Sequence, residues 1–189
     1  MRFPFTAIAY WSWLVLFLVW MFGYRDSKRA INAPNLLLQI PVTALVIFGF
    51  VLLFNPRIYG LGAPVTPRNA VLGMIGLALD LAGVAFAIWA RLTLGSNWSG
   101  MVMTTKEGHE LVQTGPYAIV RHPIYAGFLL AMLGTALTIG TTASYLGFVA
   151  SLVAFMIRVM IEDRLMRDHF GKAHEAYQQR TKRLIPYVW

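Results

Sequence analysis

The chain has 189 residues, 58% of them apolar and 13% charged, with a net charge of +8. So few charges in so apolar a chain exclude an ordinary water-soluble globule, in which about a quarter of the residues are charged. The absence of cysteine excludes disulfides, thiolate metal sites and a cysteine nucleophile; the positive balance reads as the Lys and Arg surplus of cytoplasmic loops, not as a nucleic-acid footprint.

Crossing a hydrocarbon core of roughly 30 Å takes about 20 helical residues, and five segments approach that length. The first, residues 6–23, is longer than a signal-peptide core and lacks a small-x-small cleavage site after it, so a retained span is expected. The second, residues 36–54, contains Pro41, which predicts a kink without a break. The third, residues 70–90, carries Asp80 near its middle, where a charge costs at least about 2.5 kcal/mol on insertion scales. Asp80 must therefore face the bundle, either hydrogen-bonded to a neighbouring helix or lining a cavity. Gly73, Gly76 and Gly83 of the same span favour close helix packing. Residues 91–123 make a loop too long for a plain connector, with Trp98, His109 and Tyr117 interleaved with glycines. An extended stretch is expected around Val102, Thr104 and Thr105.

The fourth and fifth spans, residues 124–140 and 143–161, are separated only by Thr141-Thr142 and predict a tight antiparallel helical hairpin. Residues 162–181 follow as an amphipathic tail helix, with Leu165, Met166, His169 and Phe170 at helical spacing and a possible interruption at Gly171. The expectation is an all-α integral membrane protein: three amino-terminal transmembrane helices over residues 1–90, then loop, hairpin and tail over 91–189, as one integrated domain. Thirteen Lys and Arg fall on one side of a five-span layout and three on the other. The positive-inside rule then puts the amino terminus outside and the carboxyl terminus in the cytoplasm.

Side chains capable of chemistry concentrate in the second half. All four histidines lie in the third loop or the tail, and the first two spans offer almost none, so function is expected there. Arg121-His122-Pro123 opens the fourth span, with Pro123 suited to a first helical turn. No second histidine stands at a chelating distance in sequence from His122, which argues against a metal. Arg158 and Glu162 share a helical face, and the hairpin returns them to the membrane surface that His122 occupies.

These residues match a larger pattern: Gly108-His109-x-Leu111-Val112-x-x-Gly115-Pro116-Tyr117, then Arg121-His122-Pro123-x-Tyr125-x-Gly127, then Arg158, Glu162, Asp163 and Leu165, then Phe170-Gly171, Tyr177 and Arg183-x-x-Pro186. Over residues 94–186 the chain resembles the integral-membrane methyltransferases of the isoprenylcysteine carboxyl methyltransferase family, which are related to phospholipid methyltransferases. The resemblance implies S-adenosylmethionine as methyl donor, bound at the cytoplasmic face. It assigns His109, Leu111, Val112, Tyr117, His122, Pro123, Tyr125 and Glu162 to cofactor contacts, Arg121 and Glu162 to a catalytic polar pair, and Asn97, Trp98 and Arg158 to the substrate. Asp163 stands where many members have a second glutamate.

The implied partners are the lipid membrane and a lipophilic acceptor entering from the bilayer, with neither nucleic acid nor metal. A prenylcysteine carboxylate is the family's reference acceptor; a phospholipid amine, or a small amine, thiol or phenol, stays open. An acceptor of the latter kinds needs a proton acceptor, which an ionised carboxylate does not. A small ion or proton transporter using Asp80 is the alternative from another class, although the chain lacks the repeated halves many transporters show.

Overall fold

The computed structural model describes residues 4–23, 36–98, 108 and 110–189. The loop cations Arg25, Lys28 and Arg29, the stretch around Val102, Thr104 and Thr105, and His109 lie outside the described residues. Six α-helices carry the described chain: α1 (Phe5–Gly23), α2 (Leu36–Phe54), α3 (Ala70–Leu94), α4 (Pro123–Ile139), α5 (Thr142–Phe170) and α6 (Lys172–Arg180). α1, α2, α3 and α5 are long and apolar enough to cross a membrane, while α4 is apolar but 17 residues long. Their outer faces expose Trp11, Phe17, Ile40, Met74 and Leu92, the surface expected where lipid is the solvent.

The helices pair in a way the sequence order does not suggest. α3 lies along α4 and α2 along α5, and these contacts exceed the one between α4 and α5, which the short turn predicts as the tight hairpin. Glycines decide it. Gly76 and Gly83 of α3 meet Gly127 and Gly134 of α4 backbone to backbone; a Cβ on Gly127 would lie 2.7 Å from the Gly83 carbonyl oxygen. Gly49 of α2 and Gly147 of α5 repeat the device, a Cβ on Gly49 falling 2.8 Å from the Gly147 carbonyl oxygen. Without a hydrophobic drive between helices in lipid, such close approach is what selects partners.

The α4–α5 turn is built as its residues require. Gly140 ends α4 in the left-handed region (φ 73°), and Thr141 caps α5 in a reciprocal capping box with Ser144. Pro41 sits within a continuous α2. The tail differs from expectation: residues 162–170 do not start a new helix but extend α5, so Glu162 and Asp163 belong to the same rigid rod as Arg158. Gly171, at φ 51°, breaks the rod, and α6 folds away from it. Beyond α6 the chain returns to the start of α4. The Arg121 amide donates to the Lys182 carbonyl (2.8 Å) and the His122 amide to the Arg183 carbonyl (3.0 Å), in a parallel bridge.

Asp80 is fully buried and faces the bundle. Ser12 of α1 lies 2.5 Å from its Oδ2, and Thr135 of α4 donates to its Oδ1 at 2.8 Å. Of the two readings, hydrogen bonding to neighbouring helices is the one observed.

Candidate active site at the polar end of a membrane cavity

A cavity of about 910 Å³ runs from the ends of α3 and α5 into the space between α1, α2 and α4. One end is polar, lined by Asn97, Glu110, Arg121, His122, Arg158, Glu162 and His174. The remainder is aromatic and aliphatic, with Trp13, Trp20, Phe50, Phe54, Phe128 and Phe155 on its walls. Phe17 and Met21 of α1 and Ile47 and Val51 of α2 both line the cavity and face outward, so its open side lies between α1 and α2.

Two adjacent carboxylates organise the polar end, each with its own cations. Glu162 takes Arg158 one turn earlier on α5 (Nε to Oε1 3.1 Å) and the hydroxyl of Tyr125 (2.5 Å). Arg158 Nε also donates to the Tyr125 hydroxyl at 2.7 Å, closing a three-membered polar ring. Asp163, its side chain 1% exposed, takes Arg121 (3.2 Å), Arg183 (2.8 Å) and His122 Nε2 (2.9 Å). His122 joins the two systems, because its Nδ1 stands 3.6 Å from Glu162. Burial draws the imidazole toward neutrality, but hydrogen bonds to Asp163 and Glu162 outweigh it and raise the His122 pKa above its ordinary 6.5.

The two members of the catalytic polar pair that the resemblance implies, Arg121 and Glu162, do not bond each other. Arg121 instead donates to Asp163 and to the carbonyls of Gln178 and Thr181, tying α4 to α5 and the tail. Glu162 has Arg158 as its guanidinium partner. The Tyr125 ring is covered by its neighbours. It is stacked between His122 (6.0 Å) and Phe155 (5.1 Å), leaving its edge and hydroxyl toward the cavity.

The third loop supplies the opposite wall. Arg91, near the end of α3, donates to the Gly95 carbonyl (2.9 Å) and lies over the Trp98 ring at 4.3 Å. Asn97 Oδ1 accepts from the Glu110 amide at 3.3 Å, so the two ends of the loop meet beside the cavity. Leu111, Val112 and Tyr117 line it, while Pro123 is fully buried behind it in the first turn of α4. Tyr177 of α6 donates to the Tyr117 carbonyl at 2.5 Å. Desolvation lifts both phenols, Tyr177 to about 12 and Tyr117 further, so both stay protonated donors at physiological pH.

Sequence reasoning passes over three contributors. Asp163, conspicuous only as the second of two adjacent acids, is where four basic side chains converge. His174 is buried on α6 at the cavity wall; its Nε2 stands 3.7 Å from Asp163, and neither ring nitrogen has a hydrogen-bond partner among the described residues. The third is the amino-terminal half itself: α1 and α2 build the apolar walls, although they carry no chemistry of their own. Among the described residues no group of three His, Asp or Glu side chains could hold a metal ion.

An all-helical bundle with apolar outer faces, enclosing a cavity that is polar at one end and apolar along the rest, defines an integral membrane protein. The sequence profile of the isoprenylcysteine carboxyl methyltransferase family matches residues 74–168, and the chain belongs to that family. It is 30% identical over 115 residues to protein-S-isoprenylcysteine O-methyltransferase B of Arabidopsis thaliana, covering 60% of this chain and 58% of that one. To the Tribolium castaneum protein-S-isoprenylcysteine O-methyltransferase it is 33% identical over 119 residues, 62% of this chain and 42% of that one. The cobalt-zinc-cadmium resistance protein CzcN of Cupriavidus metallidurans is 29% identical over 126 residues, covering 66% and 52%. Among solved structures, the eukaryotic intramembrane Ras methyltransferase ICMT superposes with a TM-score of 0.58 at 29% identity, covering 77% of this chain and 52% of that one. The chain spans about half the length of the curated relatives it matches.

Proposed function

We propose that this chain transfers a methyl group from S-adenosylmethionine to a carboxylate at the end of an apolar body, at the cytoplasmic face of a membrane that it crosses five times. The observation that carries the reading is the Tyr125–Arg158–Glu162–His122 cluster at the polar end of a cavity whose remaining walls are aromatic and aliphatic. A catalyst for joining a charged donor to a lipophilic acceptor needs both environments in contact.

The residues present fit such a donor. Glu162 is an anionic partner for its cationic portion, and Tyr117 and Trp98 give flat apolar walls. When bound, S-adenosylmethionine would supply an electrophilic methyl group, taken by in-line attack of the acceptor with the sulfonium sulfur as leaving group. The protein's part is positioning, which for two bound reactants can provide a large share of the rate. Arg158, held at fixed orientation by Tyr125 and Glu162, orients an acceptor carboxylate, and that group arrives ionised, so no proton has to move. Arg121, engaged by Asp163 and two carbonyls, holds the frame. Leu111, Val112 and the first turn of α4 shape the donor's side, and Asn97 fixes the loop above it.

Five spans with the amino terminus outside agree with the thirteen-to-three distribution of Lys and Arg, α4 being the short crossing among them. The names of the plant and insect relatives favour an isoprenylcysteine-like acceptor; that of CzcN names no acceptor. Titration of solubilised protein with S-adenosylhomocysteine tests the donor site. Glu162→Gln should weaken binding roughly ten- to a hundredfold, the worth of a hydrogen bond to a charged group, and Arg57→Ala should leave it unchanged. Failure of the wild type to bind at millimolar concentration ends the proposal. Radiolabelled S-adenosylmethionine with a synthetic prenylcysteine or a membrane lipid extract then identifies the acceptor.

A further inference from the structure

We propose that Asp80 is a positioning residue: acting through Thr135, it fixes the Trp13 indole as the closed end of the apolar slot and so sets the length of chain that the slot accepts. This inference rests on the reading of the cavity as an acceptor site.

The end of the slot is aromatic and tightly built. Trp13 of α1 meets Phe50 and Phe54 of α2 edge-on at 5.3 and 5.8 Å, and Phe128 of α4 at 5.7 Å. Trp20, two helical turns away on the same helix, stands at the other end against Trp98 of the loop (6.2 Å). Seven residues at 1.5 Å each separate the two tryptophans, so the slot between them is about 10 Å deep. Above Trp13 the slot opens to lipid between α1 and α2; at Trp13 the aromatic contacts close it.

A ring that closes a cavity has to be held against rotation. Trp13 Nε1–H donates to Thr135 Oγ1 at 2.8 Å. A threonine hydroxyl that accepts in this direction needs somewhere to send its own proton, and Asp80 Oδ1 receives it at 2.8 Å. Asp80 and Thr135 are fully buried and Trp13 nearly so. The carboxylate itself does not line the cavity. What it controls is the direction of one hydroxyl, and through it the orientation of the indole. Thr135→Val removes the acceptor for Trp13 while conserving shape. Asp80→Ala frees the hydroxyl to turn away. Asp80→Asn keeps the relay: the amide oxygen still accepts from Thr135, and its N–H donates to Ser12, whose proton goes to the Ala9 carbonyl 2.7 Å away.

The test uses the full-length protein in amphipol, with no free lipid or micelle phase, titrated from water with N-acetyl-S-alkylcysteines of graded chain length, alongside a melting temperature for each variant. In the wild type, affinity should climb about fourfold per added methylene until the chain reaches Trp13, then level off. In Trp13→Ala, Thr135→Val and Asp80→Ala the levelling should come at longer chains. An acceptor two methylenes too long for the wild type should then bind roughly ten- to twentyfold more tightly to the variants. Asp80→Asn should level off where the wild type does. If Trp13→Ala levels off at the wild-type length, Trp13 is not the end of the slot. If Thr135→Val and Asp80→Ala lower the melting temperature without moving the break, the cluster only stabilises the bundle. Either result overturns the proposal. S-adenosylhomocysteine binding, measured separately, reports on the methyl-transfer reading: its absence would end that reading without affecting the position of the break.

Discussion

Replacing Asp163 by alanine removes a carboxylate to which Arg121, His122 and Arg183 all donate, and its cost can be worked from their burial. The Asp163 side chain is 1% exposed and that of Arg121 8%, so the pair is shielded from water. Removing one partner of a buried ion pair strands the other and costs about 3–5 kcal/mol. Arg183, at 32% exposure, relaxes into solvent and adds little. For a chain of this length 1 kcal/mol moves the unfolding midpoint by about 2–4 °C, which puts the loss on the order of 10 °C. Thermal unfolding of the solubilised protein, followed by circular dichroism, measures it. Asp163→Asn retains one acceptor oxygen and should lose less. Trypsin should also cut after Arg180, Lys182 and Arg183 sooner in the alanine variant, because those residues return to α4 through this carboxylate. A midpoint within about 2 °C of the wild type, with unchanged cleavage, would refute the assignment of Asp163 as the tie between α4, α5 and the tail.

Other expectations follow from the same geometry. His122 has a raised pKa in the folded state, so its stabilisation is complete below about pH 6.5 and is lost as pH rises through the higher folded value. Midpoints measured across that window should fall for the wild type and stay flatter for His122→Gln; parallel curves would contradict the two-carboxylate contact. Gly134→Ala places a Cβ 2.9 Å from the Cα of Asp80 and should cost about 1–3 kcal/mol by forcing α3 and α4 apart. Gly62→Ala, whose Cβ would approach nothing nearer than 3.5 Å, is the control.

The sequence made the helices legible because each span is a nearly unbroken apolar run of the right length, and because Gly140 and Thr141 carry their own end signals. The convergence of Glu162 on His122 was legible for a geometric reason: an even number of crossings separates residues on one membrane face. Partner choice was not. Whether Arg121 reaches Glu162 or Asp163 depends on the rotation of α5, and neighbouring positions on a helix point about 100° apart. The aromatic residues of α1 were illegible for another reason. Trp13 and Trp11 look alike in a hydropathy count, yet one closes the cavity and the other faces lipid. His174 gave no signal because its partners, Asp163 and Tyr177, come together only once Gly171 has turned α6.

The return of residues 181–183 to the start of α4 also fixes the order in which the site can be made. Synthesis from the amino terminus makes α1 to α5 before the segment that holds Arg121 and His122 in place. During that interval Asp163 and Arg121 are already present, but the carbonyls of Thr181, Lys182 and Arg183 that receive Arg121 and the α4 amides are not. The frame of the pocket therefore depends on a segment made later than every helix from α1 to α6. A truncation that spares every helix from α1 to α5 would still leave the protein inserted, anchored and without a finished site.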